Sequence, residues 1–560
     1  MSLSPSVDDP APPAVDVART WADRLGRPSR RPLLLGLGAS LMMLVGSFGA
    51  GGVLVRDPIL TNSALGFWRY GHGNQLAAFL VYGGVGLMVW AWIQLGREVL
   101  AGRTGGRAVL TTSVVWTFPL LFGPPLFTRD VYSYLAQGAL PLFGFDTYAV
   151  GPEAMPGVLA ENVHPFWQDT PAPYGPLFIL IAKCVAAIAG DNMILGVLLM
   201  RIALLPGLVL LVWALPGLCR RLGGRVPVAF WVMIANPVMV ILMIGGGHND
   251  LLVIGLLAAG AVVALRGVQI AGRDAGPAFG IALVTMSMAV KASAGAALPF
   301  LVLVWAMQMH GTQFVRIMKA IGAGVVVFGV TFAACTLAAG VNLGWLPALS
   351  APSMIVNWMS LPTGAGELIH SIVSIFATVP KQPFVNVMRV IGALLFLWLA
   401  VRHWLAARDA GPDIVRRAGV VLLLVAILSP ALLPWYVTWG VTLLAATALS
   451  LRWLQVVAFV SPLLVIFYYP AGEDALYNPP YLLLCAAFAL LAAVSLTRKD
   501  PLRLAAGARS KAPAVAPAQD KAAVPTLTAV PSPDERTPAA AVPVEEPAGP
   551  APAGAQQHAG

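Results

Sequence analysis

Phe127-Thr128-Arg129-Asp130-Val131-Tyr132-Ser133-Tyr134 follows a hydrophobic run and opens the longest polar interruption in the apolar part of the chain. Of 560 residues, 58% are hydrophobic and only 11% charged. With a mean hydropathy of +0.79, this composition belongs to a polytopic membrane protein. A carboxylate just beyond a membrane span is costly there unless it is solvated or partnered. One reading pairs Asp130 with its neighbour Arg129. The other makes Asp130 a general acid or base in a cavity at the bilayer edge, within reach of a sugar hydroxyl and shielded from bulk water.

Working outward, Arg19, Arg24, Arg27, Arg30 and Arg31 precede the first apolar run, Leu33 to Leu54. Basic clusters mark the cytoplasmic side. Gln75 to Leu95 returns to Arg97, Arg103 and Arg107, and Ala108 to Phe127 goes out again. Asp130 is thus expected on the outer face. Gly175 to Ala189 has fifteen residues, short of the ~20 needed to cross, and is expected to be an interfacial or re-entrant helix. Met193 to Leu215 then crosses to Arg220, Arg221 and Arg225. Continuing in this way gives about fourteen spans, within roughly 12 to 16, with both ends cytoplasmic. The expected fold is an all-α polytopic membrane protein with external interfacial helices. Residues 1–32 read as a disordered cytoplasmic N-terminus, 33–497 as the membrane-embedded domain, and the Ala/Pro-rich 498–560 as a disordered cytoplasmic tail.

Several other residues fall on the outer side. Tyr132 and Tyr134 lie ~200° apart if Asp130 starts a helix. Each is either part of an interfacial aromatic belt or the lining of a sugar or lipid pocket. His164, in Asn162-Val163-His164-Pro165-Phe166-Trp167, and Tyr174, in Pro173-Tyr174-Gly175-Pro176-Leu177, belong to an aromatic, Pro-rich loop suited to a sugar ring. Gly245-Gly246-Gly247-His248-Asn249-Asp250 forms a further outer turn. Its glycines permit close backbone approach, and Asn249 or Asp250 can cap the next helix. Capping explains one polar residue there, not three. Lys291 sits at the apex of a short hairpin, where it either snorkels or offers a point charge to a phosphate. Trp435, Tyr436 and Trp439 read as belt residues, of which Trp435 and Tyr436 could also line a site.

The chain has no GxxxxGK[ST] loop, and its charge of +10 falls in short loop clusters, so neither ATP hydrolysis nor nucleic-acid binding is indicated. Cys184, Cys219, Cys335 and Cys485 are scattered and are expected to be single buried thiols. No metal-ligand spacing is recognisable. A divalent metal is therefore not expected, although the residues do not forbid one. An activated donor has to be bound by the membrane part itself, which favours a lipid-linked one.

An acidic residue at the end of an outward helix, a long external loop and a Tyr/Pro-rich start to the next helix resemble the GT-C superfamily of glycosyltransferases. More narrowly, Thr128 to Tyr134, Pro173-Tyr174-Gly175-Pro176-Leu177 and Gly246-Gly247-His248-Asn249-Asp250 are similar to motifs of the actinobacterial α-(1→6)-mannopyranosyltransferases of the MptA/MptB type, with the B type the nearer expectation. The resemblance covers about Leu33 to Leu496. It implies a GT-C-type fold and a polyprenyl-phosphate mannose donor. It also implies a mannan or phosphatidylinositol-mannoside-type glycolipid acceptor, such as a lipomannan core, on the outer face of the plasma membrane. Asp130 maps to the base of an inverting transfer, and Arg129, His248 and Lys291 to groups facing the donor phosphate. Arg129 stands where other superfamily members carry a second acid. The competing class is a secondary transporter or lipid flippase, which would place charges near the bilayer midplane and break helices in matched halves.

Overall fold

The computed structural model describes residues 28–498, apart from 62, 271–272, 409–410 and 412. Most of the expected N-terminal segment, and all but the first residue of the expected tail, lie outside the described residues. In chain order the helices are α1 (Arg30–Ala50), α2 (Gly71–Leu100), α3 (Gly106–Thr117), α4 (Asp130–Ala139), α5 (Val158–Asn162), α6 (Pro176–Ala189), α7 (Met193–Leu222) and α8 (Val226–Met233). A π-helical segment, Val238–Gly245, leads to α9 (Asp250–Arg266), α10 (Gly276–Val290), α11 (Leu298–Ala306) and α12 (Gln313–Ala339). Then come α13 (Trp345–Ala348), α14 (Leu361–Val373), α15 (Gln382–Ala407), α16 (Asp413–Leu428), α17 (Val437–Leu444), α18 (Leu451–Val465) and α19 (Pro479–Thr497). Among the described residues the only strand pair is Gln269–Ile270 with Arg273–Asp274, so the fold is all-α as expected.

Among the described residues six helices are long and apolar enough to cross a membrane: α1, α2, α7, α12, α15 and α19. A seventh crossing results if α8 and the π segment, bent by 52°, form one span. The other expected spans are shorter or broken helices, so helix length does not recover the count of about fourteen. Broken helices are tolerated at membrane depth where protein surrounds them, and the π segment is buried throughout. The bend falls at Asn236-Pro237, because proline removes a donor and crowds the preceding turn. Asn236 repairs it: its Oδ1 accepts from the Val238 N–H at 2.9 Å, while its Nδ2 donates to the Val232 carbonyl and to Ser461 Oγ. In α15 only 11% of the spanning window is buried, and Val387, Val390, Leu394 and Trp398 point outward. That is a lipid-facing surface.

Close helix contacts set the rest. A Cβ on Gly207 of α7 would lie 2.2 Å from the Leu251 carbonyl, and one on Gly255 of α9 would lie 2.1 Å from that of Gly207. Lipid tails are as apolar as leucine, so association of membrane helices depends on such close packing. Here it fixes the N-terminus of α9 against α7. Trp92 of α2 and Trp231 of α8 stack at 4.8 Å, and each indole N–H donates to the other's backbone carbonyl. Cys219, Cys335 and Cys485 are buried free thiols as expected, whereas Cys184 is exposed. It lies on α6, a helix of 14 residues and so ~21 Å long, which is too short to bury every face.

Candidate active site

The opening stretch makes a sharp turn. Phe127, fully buried, has φ of 60°, the only positive φ at a non-glycine residue among those described. A bulky side chain in that region is strained by ~1–3 kcal/mol and persists only where its surroundings impose it. They do: the Phe127 N–H donates to the Pro470 carbonyl at 2.9 Å, and Gly472, at φ +103°, lies flat on the Thr128 backbone. Thr128 Oγ1 then accepts from the Asp130 N–H at 3.1 Å. Asp130 becomes the first residue of α4, where the helix dipole favours a negative charge.

Arg129 does not pair with Asp130. Its guanidinium donates to the Val53 carbonyl at 3.1 Å and to the Asn162 carbonyl at 3.1 and 3.3 Å, and it lies over the Tyr132 ring. It joins two loops, with Nε, Nη1 and Nη2 all engaged. Tyr132 and Tyr134 diverge as the helical geometry requires. The Tyr132 hydroxyl donates to the Gly52 carbonyl at 2.6 Å. Tyr134 instead meets Tyr174 and Phe178 edge-on at 5.2 and 4.9 Å.

The partner of Asp130 is His248. Asp130 Oδ2 lies 3.5 Å from His248 Nδ1, and 21% of the Asp130 side chain stays exposed while His248 is fully buried. Neither ring nitrogen of His248 makes a hydrogen bond, and neither does the side-chain amide of Asn249. His248 is held by shape: its ring stacks on Trp435 with centroids 3.6 Å apart. The triple glycine brings it there. Gly247 has φ +76°, and a Cβ on Gly246 would lie 2.8 Å from Thr128 Cγ2. Arg201 secures the turn by donating to the carbonyls of Leu121, Gly123 and Gly245. Asn249 takes the N-cap position of α9 but makes no capping bond, so the capping expectation holds in position only.

Asp250 is fully buried and fully engaged. Lys291 Nζ donates to its Oδ2 at 2.8 Å and Trp439 Nε1 to its Oδ1 at 2.6 Å. Lys291 lies over the rings of Tyr436, at 4.6 Å, and Trp439, at 5.5 Å, which stack on each other. Burial pushes the Asp130 carboxyl up to about 6, with Lys291 opposing and Asp250 adding to the rise. Burial holds the His248 imidazole well below its ordinary value, helped by the Lys291 charge. The site is therefore a partly exposed carboxylate able to exchange a proton near neutrality, a neutral histidine and a fixed cation.

The structure thus brings Asp130, Tyr134, Tyr174, His248, Asn249, Asp250, Lys291, Trp435 and Tyr436 together. His164 stands apart as a turn residue, accepting the Phe166 N–H on Nδ1 at 3.2 Å. Among the described residues no three His, Cys, Asp or Glu side chains form a metal-holding group. A cavity of about 160 Å³ lies on the Tyr132 side of α4, lined also by Phe48, Leu54, Val197 and Arg201 but not by Asp130. Sequence reasoning missed Arg201, Tyr468, whose ring lies 6.3 Å from that of Trp435, and the Pro470–Gly472 turn, and it treated Trp439 as a belt residue. Arg201 had a signal, as a lone charge inside a long apolar run. The others had none beyond composition.

This fold and site define a membrane-embedded protein built around a partly exposed carboxylate and a buried lysine–aspartate pair. Residues 33–307 match the family model described as α-(1→6)-mannopyranosyltransferase, N-terminal domain, and residues 362–498 match the one described as MptB C-terminal domain. The chain belongs to this mannosyltransferase family. It is 39% identical over 483 residues to α-(1→6)-mannopyranosyltransferase A of Mycobacterium tuberculosis, covering 85% of this chain and 92% of that one. Identity to the A protein of Corynebacterium glutamicum is 32%, over 81% of this chain and 96% of that one. To the B protein of C. glutamicum it is 31%, over 74% and 72%. These identities do not lean toward the expected B type, although the C-terminal match carries that name. No solved structure matches the chain.

Proposed function

We propose that the protein transfers mannose from polyprenyl-phosphate mannose to a mannan-type glycolipid acceptor at the outer face of the plasma membrane, with Asp130 as general base. The observation that carries this reading is the Asp130 carboxylate: partly exposed, raised to about 6 by burial, and set beside a fixed cation. A base with that value is mostly ionised at pH 7 yet holds a proton well.

In the reaction the acceptor hydroxyl oxygen bonds to the anomeric carbon as the bond from that carbon to the donor phosphate oxygen breaks. The hydroxyl proton passes to Asp130, and polyprenyl phosphate leaves with the electron pair. Inversion to an α product requires a β-linked donor. Lys291 meets the charge growing on the phosphate. Neutral His248, braced by Trp435, fixes the carboxylate rotamer. Tyr134 and Tyr174 supply apolar faces against a sugar ring. Arg129 acts on the loops at Val53 and Asn162 rather than on the phosphate, because each of its three nitrogens donates to a loop carbonyl there. The basic clusters of the sequence support the sidedness and the cytoplasmic termini.

The test is Asp130→Asn assayed in membranes with labelled polyprenyl-phosphate mannose. Loss of a general base costs roughly 10²–10⁴-fold, with the folded yield preserved. Turnover at the parent rate would remove Asp130 from the mechanism.

A further inference from the structure

We infer that Asp250 and Trp439 are positioning residues that hold the Lys291 ammonium at the site, rather than ligands of either sugar. The inference rests on the reading of Lys291 as the cation facing the donor phosphate, and it assigns new roles to two residues around it.

The bonding decides the matter for Asp250. Its side chain is fully buried, and its two oxygens are taken by Lys291 Nζ at 2.8 Å and Trp439 Nε1 at 2.6 Å. No part of it reaches a substrate. Lys291 differs, because 14% of its side chain remains exposed. One ammonium proton goes to Asp250, and the rings of Tyr436 and Trp439 lie beside the cation. Its remaining protons are available to an incoming acceptor.

The backbone completes the arrangement. Lys291 ends α10 in an extended conformation, at φ −149° and ψ 127°, where a cation suits the helix C-terminus. Asp250 begins α9, where an anion suits the N-terminus. A free lysine samples many rotamers, and a phosphate would have to order it during binding. Here two helix ends and one indole N–H have ordered it already. Trp439 therefore acts twice: its N–H holds the far oxygen of Asp250, and its ring faces the cation. A belt tryptophan would do neither.

Trp439→Phe keeps a ring against Tyr436 while removing the N–H and part of the indole. The expected result is a folded protein with a lowered melting temperature, because a buried Asp250 oxygen loses its donor, an unchanged acceptor KM, and a kcat at least about tenfold lower. In a Lys291→Met background the same substitution is expected to cost nothing further, because it acts through the lysine. Asp250→Asn is the second variant, read by the same cycle should Trp439→Phe fold poorly. Full turnover in either variant, or losses that multiply with Lys291→Met, would overturn the inference. Asp130→Asn run alongside separates the two failures. If it is inactive while the cycle is additive, only the positioning role falls; if it is active, the reading of the site falls.

Discussion

Asp130 and His248 meet at 3.5 Å from two different helix beginnings, and no hydrogen bond joins them. The histidine is held by its stack on Trp435 and the carboxylate by the dipole of α4 and the turn at Phe127. Each is placed by its own scaffold, and the stacked ring at 3.5 Å limits how far the carboxylate can turn.

The pH profile should report the buried carboxylate. In the proposed role Asp130 acts in its ionised form, and its value is raised to about 6. Turnover should fall about tenfold per pH unit below that value and level off above it. Among the described residues Lys291, Asp250 and His248 face Asp130, together with the buried hydroxyls of Tyr134, Tyr174, Tyr436 and Tyr468. Measuring kcat/KM from pH 4.5 to 8 checks this; an acid limb near 4 would show that burial does not govern Asp130.

Stability should move the opposite way. A carboxyl at about 6 in the folded protein, against 3.8 ordinarily, binds its proton more tightly when folded. The ionised form therefore costs stability above pH 6, and the cost fades as pH falls through 6 toward 3.8. Asp130→Asn should gain about 3 kcal/mol at pH 7.5 and little at pH 4. Melting in detergent at both values checks the sign.

His248→Phe should separate position from stability. The ring still stacks on Trp435, and no hydrogen bond is lost because neither nitrogen makes one. Melting should be unchanged or slightly higher, while turnover falls roughly tenfold to a hundredfold as the carboxylate loses its brace. Parent-level turnover would reduce His248 to packing.

Gly246→Ala should damage both. The added methyl would lie 2.4 Å from the Leu242 carbonyl and 2.8 Å from Thr128 Cγ2. The strain should cost about 1–3 kcal/mol and push Thr128, next to Asp130, out of place. Gly322→Ala on α12 is the control, since nothing lies within 4 Å of its Cβ. It should be neutral or stabilising by about 0.5–1 kcal/mol. Equal losses in the two variants would sink the close-approach argument.

Much of this was legible in the sequence because a membrane makes it so. Composition alone required an all-α chain, since only helices satisfy every backbone group within one segment in lipid. The rarity of charge made Asp130, the His248-Asn249-Asp250 turn and Lys291 conspicuous, and the family motifs lie on the same residues. What each one touches was not legible. Arg129, a neighbour of Asp130 in sequence, bonds to loops at Val53 and Asn162. Asp250, read as a substrate ligand, is closed off by Lys291 and Trp439. Those partners come from segments far apart in the chain, and no local periodicity encodes them. The sequence by itself determined which groups could not be ordinary core residues, because uncompensated charge is costly in an apolar chain. Only the tertiary structure decided which of them face the substrate and which hold the others still, because that depends on how α4, α9, α10 and α17 pack together.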